Sequence, residues 1–180
     1  MKKIVIIGAN DFQNQLILKA KEMGFETHVF AWQDGSIGEL TADYFYPVSI
    51  VEIDEILEKC KEIKPDAVAT IASDLANITV SKVAAGLGLP GNTPECIEIS
   101  TNKYAMRSAF LKAGIPTPAF YKVDQVQDEL YKMKLPVIVK PTDRSGSRAI
   151  TKITDFKDLE GAIQDAVEQS FEKKAIVEEY

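Results

Sequence analysis

Lys140 is the residue whose position most strongly suggests chemistry. It stands in VIVKPTDRSGSRAI, residues 137–150, where an apolar strand ends and passes into a loop of small, charged and hydroxyl-bearing residues. Backbone N–H groups and hydroxyls in such a loop can donate to phosphate oxygens, and an ammonium group on a long stem can reach them. The same pattern describes a strand followed by a solvated turn, so the segment alone leaves both interpretations open.

A second pair of cations precedes this segment in ISTNKYAMRSAFLKAGIPTP, which has helical periodicity and ends at glycine and proline. Lys103 and Arg107 are four residues apart, so they are neighbours on one face of the predicted helix. Like charges at this spacing cost helix stability unless an anion lies between them or water solvates them. Spacing alone favours a solvated basic face.

The first hundred residues alternate strand and helix patterns, which predicts a parallel sheet covered on both faces. The predicted strands are 3–8, 27–32, 44–48 and 66–72, and the predicted helices are 12–24, 52–63 and 75–88. Ligands of such sheets bind at the carboxyl ends of the strands. Ser73 and Asp74 follow the fourth strand there, where Asp74 either caps the next helix or faces a ligand, and the residue types favour capping.

Gly8 ends the first strand, as the first glycine of a dinucleotide-binding fingerprint does. The fingerprint requires two further glycines, and this chain has Asn10 and Gln13 at those positions. We therefore reject NAD as a ligand. The lone His28 falls within a predicted strand, and nothing beside it in the sequence suggests a proton relay.

The last third of the chain predicts a compact unit of sheet and helices in the order βαββαβ. The predicted strands are 118–123, 136–141, 149–153 and 175–180, and the predicted helices are 124–134 and 155–170. Asp124 and Asp155 begin these helices and are expected to cap them.

Composition limits the classes of function. The formal net charge is −6, which argues against a protein that binds duplex nucleic acid, because such proteins need a basic surface. The amino-terminal apolar run is too short for a signal peptide or a membrane span, so we expect a cytoplasmic protein without a membrane partner. Cys60 and Cys96 lack metal-ligand spacing and are expected to be free thiols.

Three motifs in order, NKYAMRSAFLKAGIPTP, LPVIVKPTDRSGSRAI and AIVEEY, resemble the ATP-grasp superfamily, in particular its members similar to the large subunit of carbamoyl-phosphate synthase and to biotin carboxylase. The resemblance implies an α/β fold, with a Rossmann-like doubly wound parallel sheet as the pre-ATP-grasp domain and then a small α+β ATP-grasp lid subdomain. The implied domains are 1–100, a linking helix and turn at 101–118, and a nucleotide-binding subdomain at 119–180 that stops at the hinge.

The resemblance also implies roles for the basic residues and the loop. Lys103 matches a lysine that reaches ATP, and Lys140 matches a strand lysine that contacts the phosphates. The turn Ser145, Gly146 and Ser147 resembles the phosphate-covering turn, to which Arg148 adds charge. Many members of the superfamily have a second glycine where this chain has Ala149, which is expected to stiffen the loop.

AIVEEY resembles the hinge strand beside the adenine ring. Glu178 is then the acceptor for the exocyclic amine, and the backbone of Glu179 and Tyr180 reads the edge of the ring. Ile138 or Ile176 is a candidate for an apolar wall of the adenine pocket, although buried strands need such residues in any case.

By resemblance, the complete protein is an ATP-dependent ligase that uses Mg²⁺ and activates a small carboxylate as an acyl phosphate for attack by an amine or similar nucleophile. The metal ligands are expected beyond residue 180, so we expect an amino-terminal portion that is inactive alone. No side chain is nominated as catalytic, and a homodimer is possible. The alternative is a nucleotide-binding or regulatory module without catalysis.

Overall fold

The computed structural model describes residues 1–180 and divides into two compact units, Met1–Ile97 and Glu98–Tyr180. The division falls within helix α5 (Pro94–Thr101), a segment for which the sequence predicts no helix. Each unit has its own sheet and its own buried core.

The first unit contains a parallel sheet of four strands in the order β3-β2-β1-β4. Its strands are β1 (Lys3–Ile7), β2 (Glu26–Phe30), β3 (Tyr44–Tyr46) and β4 (Ala67–Ala69), and its helices are α1 (Asp11–Glu22), α2 (Gly38–Thr41), α3 (Ile53–Ile63) and α4 (Asp74–Leu87). Two separate apolar clusters cover the sheet: α1 packs over Ile6 and Val29, whereas α3 and α4 pack over Val5 and Phe30. The predicted parallel α/β arrangement is confirmed.

The loop after β1 is shaped by Gly8 and Gln13. Gly8 has a φ of +100°, and a Cβ atom added there would lie 3.0 Å from Gln13 Cδ. Gln13 is buried, and its amide donates a hydrogen bond to the carbonyl of Ile71 after β4. Gln13 therefore packs against Gly8 and connects the carboxyl ends of β1 and β4. Gln13 stands where the dinucleotide-binding fingerprint has its third glycine.

Helix caps at this edge differ in one detail from the prediction. Asn10 caps α1 by accepting from the N–H groups of Phe12 and Gln13 at 3.0 and 3.4 Å. Ser73 caps α4 by accepting from Ala76 N–H at 3.2 Å, and Asp74 is the first helical residue. The expected cap at Asp74 is wrong by one position, because the serine hydroxyl reaches the third N–H of the helix.

His28 has polar neighbours that the sequence does not reveal. Its Nδ1 lies 3.0 Å from the hydroxyl of Tyr46, its Nε2 lies 2.8 Å from Glu26 Oε1, and its ring stacks on Tyr44 at 4.7 Å. These contacts join residues of β2 and β3 on one face of the sheet.

The second unit contains an antiparallel sheet in the order β5-β8-β6-β7. Its strands are β5 (Phe120–Val123), β6 (Val137–Pro141), β7 (Thr151–Ile153) and β8 (Ala175–Glu179), and its helices are α6 (Lys103–Lys112) and α7 (Leu159–Gln169). Helix α7 covers one face of this sheet with Leu159, Ile163 and Ala166, which pack on Val139 and Val177. No helix of the chain is both long enough and apolar enough to cross a membrane.

The predicted helix at 124–134 is wrong. The segment forms only a short 3₁₀ helix at Asp128–Lys132. Leu130 and Met133 are three residues apart and both buried, and a 3₁₀ turn places such residues on one face. Asp124 consequently caps no helix and instead pairs with the ammonium of Lys174, whereas Asp155 caps a 3₁₀ turn through Lys157 N–H at 3.0 Å.

Candidate functional site

The sheet face opposite α7 in the second unit carries Lys140 and Glu178, two of the residues that the sequence nominates. Antiparallel pairing places directly opposed residues on one face. Ile138 pairs with Glu178 and Lys140 pairs with Ile176, so all four share this face. The other members are Phe120, Lys122 and Lys152. Helix α6 lies against β5 at one side, where Tyr104 meets Phe120 edge to face at 5.5 Å.

Glu178 lies between two cations on this face. Its side chain is only 7% exposed, its Oε2 accepts from Arg107 Nε at 2.9 Å, and its Oε1 accepts from the ammonium of Lys140. One carboxylate therefore joins helix α6, strand β6 and strand β8. The cluster has a net charge of +1, which suits an anionic ligand.

The two cations keep Glu178 ionised. Burial by itself raises the pKa of this carboxyl. The hydrogen bonds and positive charges of Arg107 and Lys140 lower the pKa by more than burial raises it, so the net pKa lies below the usual value of 4.5. A depressed carboxyl pKa stabilises the fold at every pH above the unfolded-state pKa, and the contribution disappears as the pH falls through the folded-state pKa.

We accordingly expect acid sensitivity that depends on this one group. Above about pH 5, Glu178→Gln should be less stable than the parent chain. The difference in free energy of unfolding should shrink as the pH falls below the unfolded-state pKa and through the lower folded-state pKa of Glu178, because the parent carboxyl then takes up a proton. Urea unfolding at a series of pH values measures the difference. A difference that stays constant over this range contradicts the ion-pair assignment.

Arg107 is a site residue that sequence reasoning missed as such. The spacing of Lys103 and Arg107 suggests an anion shared between them or a solvated face. The Arg107 guanidinium instead contacts Glu178, which lies 71 positions later in the chain. The general preference of cations for carboxylates is the one sequence signal for an ion pair at Arg107. That preference does not identify which carboxylate is the partner when the two residues are 71 positions apart.

Lys103 lies at the base of the 142–149 loop. Its backbone N–H donates to the carbonyl of Thr142 at 2.8 Å, and its ammonium donates to the carbonyl of Arg144. Asn102 caps α6 by accepting from the N–H groups of Tyr104 and Ala105, which fixes the start of the helix. The first turn of α6 and the loop are thus held together.

The loop base is also fixed from its other side. Asp143 accepts from the N–H groups of Phe171 and Glu172 at 3.0 and 2.7 Å. Arg144 donates to the carbonyl of Gln169 at 2.6 Å, and its guanidinium lies 4.0 Å from the centre of the Phe171 ring. These contacts hold residues 143 and 144 of the loop base against residues 169–172.

The loop tip is exposed and has an unusual backbone. Ser145, Gly146, Ser147 and Arg148 are all solvent-exposed, and none of their side chains makes an ion pair or a hydrogen bond within the chain. Gly146 and Ser147 have φ values of +73° and +56°. Such a turn presents its donors to solvent and leaves them available to a ligand.

Ala149 has a φ of +50°, a region that glycine adopts more readily than alanine. We expect Ala149→Gly to raise the free energy of unfolding by up to about 1 kcal/mol, because relief of the left-handed backbone outweighs the added freedom of the unfolded chain. Denaturant titration measures the change. Ala109→Gly within α6 is the control, and it should lower stability by about 1 kcal/mol; destabilisation by both variants contradicts the argument.

The last two residues make sheet contacts. The N–H group of Glu179 donates to the carbonyl of Ala119 at 3.0 Å, and that of Tyr180 donates to Pro136 at 3.1 Å. The Glu179 carboxylate accepts from Lys134 N–H at 3.1 Å, and the Lys152 ammonium lies 3.5 Å from the centre of the Tyr180 ring. Both backbone N–H groups are therefore already used within the unit.

The aliphatic residues of β6 divide between the two faces. Val137 and Val139 belong to the core under α7. Ile138 and Ile176 lie on the opposite face with Glu178 and Lys140, where Ile176 is fully buried. Of the aliphatics on β6 and β8, these two are therefore placed to line an apolar wall beside the cations.

The residues of this chain do not fit a magnesium ion by themselves. Mg²⁺ prefers several oxygen ligands, and no group of three or more His, Cys, Asp and Glu side chains is arranged to hold a metal. The single carboxylate of the cluster, Glu178, is already bound by two cations.

The chain thus combines an α/β unit that has a parallel sheet with a second unit that has an antiparallel sheet and a hydroxyl-rich loop. No family model matches the chain. It is 24% identical over 174 residues to a formate-dependent phosphoribosylglycinamide formyltransferase of Prochlorococcus marinus, covering 94% of this chain and 44% of the relative. It is 27% identical over 173 residues to a carbamoyl phosphate synthase large chain of Mycobacterium, covering 88% and 16%.

Among solved structures, the biotin carboxylase domain of 2-oxoglutarate carboxylase from Hydrogenobacter thermophilus matches with a TM-score of 0.78 and 19% identity, over 99% of this chain and 44% of that one. This likeness shows a common fold. The homologues are ATP-grasp enzymes, and the resemblance to the ATP-grasp superfamily is confirmed. The chain spans less than half the length of these proteins.

Proposed function

We propose that the second unit binds ATP, and that the complete protein is an ATP-grasp ligase that activates a small carboxylate. The observation that carries the proposal is the cluster of Lys140, Glu178 and Arg107 on one sheet face, next to a loop with a rigid base and an exposed tip. The biotin carboxylase domain named above was solved with MgADP and bicarbonate, which supports a nucleotide as the ligand of this fold.

In the proposed complex, the Lys140 ammonium exchanges its contact with Glu178 Oε1 for a contact with the polyphosphate. Lys103 and the loop tip Ser145–Gly146–Ser147 donate to phosphate oxygens, and Arg148 adds positive charge. Glu178 stays bound to Arg107, so it remains ionised and available to accept from the adenine amine. Ile138 and Ile176 line the ring, and the carbonyl oxygens of Glu179 and Tyr180 face its edge.

The proposed reaction has two steps. A carboxylate oxygen of the substrate attacks the γ-phosphorus of ATP, ADP leaves, and an acyl phosphate forms. The lone pair of an amine or similar nucleophile then attacks the carbonyl carbon, inorganic phosphate leaves, and the nucleophile loses its proton. The residues described here contribute by positioning phosphates and offsetting their charge, with no side-chain nucleophile. The described residues do not form a magnesium site by themselves. The proposal of a homodimer rests on the resemblance alone.

The ligase proposal is tested by trapping the acyl phosphate. The protein in its native length is incubated with ATP, magnesium, a panel of small carboxylates and hydroxylamine, and hydroxamate is measured together with ADP. The proposal predicts hydroxamate and ADP in equal amounts for at least one carboxylate. ATP binding without ADP release for any member of a broad panel favours the alternative, a nucleotide-binding or regulatory module.

A further inference from the structure

Glu178 contacts the lysine to which the proposed function assigns the polyphosphate. Its two oxygens bind different cations: Oε1 accepts from the ammonium of Lys140, and Oε2 accepts from Arg107 Nε at 2.9 Å. A carboxylate and a phosphate are both anions, so each excludes the other from direct contact with the same ammonium group. Glu178 therefore competes with any phosphate ligand for Lys140.

The Lys140–Glu178 contact is shielded from water. The two side chains are only 16% and 7% exposed. They project from the paired strands β6 and β8, where Glu178 lies opposite Ile138, two residues before Lys140. Shielding strengthens the attraction between the charges, and attachment to neighbouring strands keeps the carboxylate close to the ammonium. A phosphate ligand must therefore displace a strong internal competitor.

Displacement of Lys140 also leaves a buried oxygen of Glu178 without its charged donor. Arg107 donates through Nε to the other oxygen, so this bond does not replace the one that Oε1 loses. A buried acceptor that loses its donor carries a desolvation cost, which is larger for a charged group. This cost opposes phosphate binding in addition to the lost attraction.

A ligand offsets this cost when it brings a donor of its own to Glu178. The adenine amine, which the proposed function places at this carboxylate, is such a donor. A phosphate chain without a base has no corresponding group, and its charge repels the carboxylate. The two kinds of ligand therefore differ in what they leave behind at Glu178 after each has taken Lys140.

We propose that Glu178 is a specificity-determining residue that opposes the binding of base-free phosphates at Lys140, so that the site selects an adenine nucleotide over inorganic polyphosphate. The proposal rests on the proposed function, because it takes from it the contact of Lys140 with phosphate and of Glu178 with the adenine amine. Glu178 acts on phosphate binding through Lys140.

Calorimetric titration of the native-length protein with sodium tripolyphosphate and with ATP tests the proposal. We expect Glu178→Gln to bind tripolyphosphate about three- to tenfold more tightly than the parent, because the neutral amide no longer competes for the ammonium. The ratio of ATP affinity to tripolyphosphate affinity should fall by at least about threefold in the same variant. No gain in tripolyphosphate affinity overturns the proposal.

Two further variants distinguish competition for Lys140 from a change in net charge. Asp165→Asn removes one negative charge from an exposed position of α7, the helix on the opposite face of the sheet, and should change tripolyphosphate affinity by less than about twofold. When Lys140→Met is also present, Glu178→Gln should lose most of its gain. An equal gain from Asp165→Asn, or a full gain in the absence of the lysine, contradicts the proposal.

Far-UV circular dichroism checks the folding of each variant. Glu178→Asp keeps the charge and draws it back by one methylene group, and it replaces Glu178→Gln in the test if the latter does not fold. It should raise tripolyphosphate affinity in the same direction, and no gain there overturns the proposal equally. A gain in a protein that does not bind ATP contradicts the proposed function alone, whereas ATP binding without a gain contradicts this inference alone.

Discussion

Replacing Glu178 by leucine is expected to lower the free energy of unfolding of the second unit by about 2–3 kcal/mol. The leucine fits the apolar environment of Ile138 and Ile176, but it leaves Lys140 and Arg107 next to each other without their anion. Their side chains are only 16% and 23% exposed, so water replaces the carboxylate incompletely. The loss stays below that of a fully buried pair because both cations can turn partly toward solvent.

Denaturant unfolding followed by far-UV circular dichroism measures this effect. Glu179→Leu is the matched control, since Glu179 is the adjacent residue, is half-exposed and accepts only one backbone hydrogen bond, from Lys134. The control should cost less than about 1 kcal/mol. Similar losses in the two variants indicate that Glu178 is an ordinary strand residue.

The second large effect is expected on nucleotide binding. Lys140→Met keeps the length of the stem and removes the ammonium, so one charge-assisted contact to phosphate is lost and Glu178 keeps Arg107. Contacts of this kind contribute about 1.5–3 kcal/mol, which corresponds to at least about tenfold weaker ATP binding. The fold should be retained, because the remaining ion pair still satisfies the carboxylate.

Lys157→Met is the control for net charge. It removes one positive charge from the same unit at a side chain that is 73% exposed and paired only with Asp155. ATP affinity should change by less than about twofold in this variant. Equal weakening by Lys140→Met and Lys157→Met contradicts a local phosphate site, since it indicates that only the net charge of the unit matters.

Periodicity predicted most of the fold because burial controls it. The apolar runs of β1 and β2 lie in a covered parallel sheet, and the alternation in VIVK correctly separates Val137 and Val139 from Ile138 and Lys140. The errors fall where a short segment has two solutions. Residues 124–134 have helical spacing, but the burial of Leu130 and Met133 is satisfied by a single 3₁₀ turn.

The sequence predicts several residues of the candidate site, but it does not predict which of them contact one another. The sequence identifies Lys140 and Glu178 and predicts that the carboxylate faces adenine, whereas in the structure this carboxylate joins two cations. Its contact with Arg107 depends on how α6 lies against the sheet, and no local pattern specifies that. The role of Asp143 in fixing the loop base depends in the same way on residues 171 and 172, which lie far along the chain.

The most direct test of the ATP proposal is calorimetric titration of the native-length protein and of its Lys140→Met variant with ATP and with adenosine. If the cations on the sheet face bind the phosphates, the parent binds ATP at least about tenfold more tightly than adenosine, and Lys140→Met removes most of that difference while adenosine binding stays unchanged. Equal affinities of the parent for ATP and adenosine, or an unchanged ATP preference in Lys140→Met, would contradict the account.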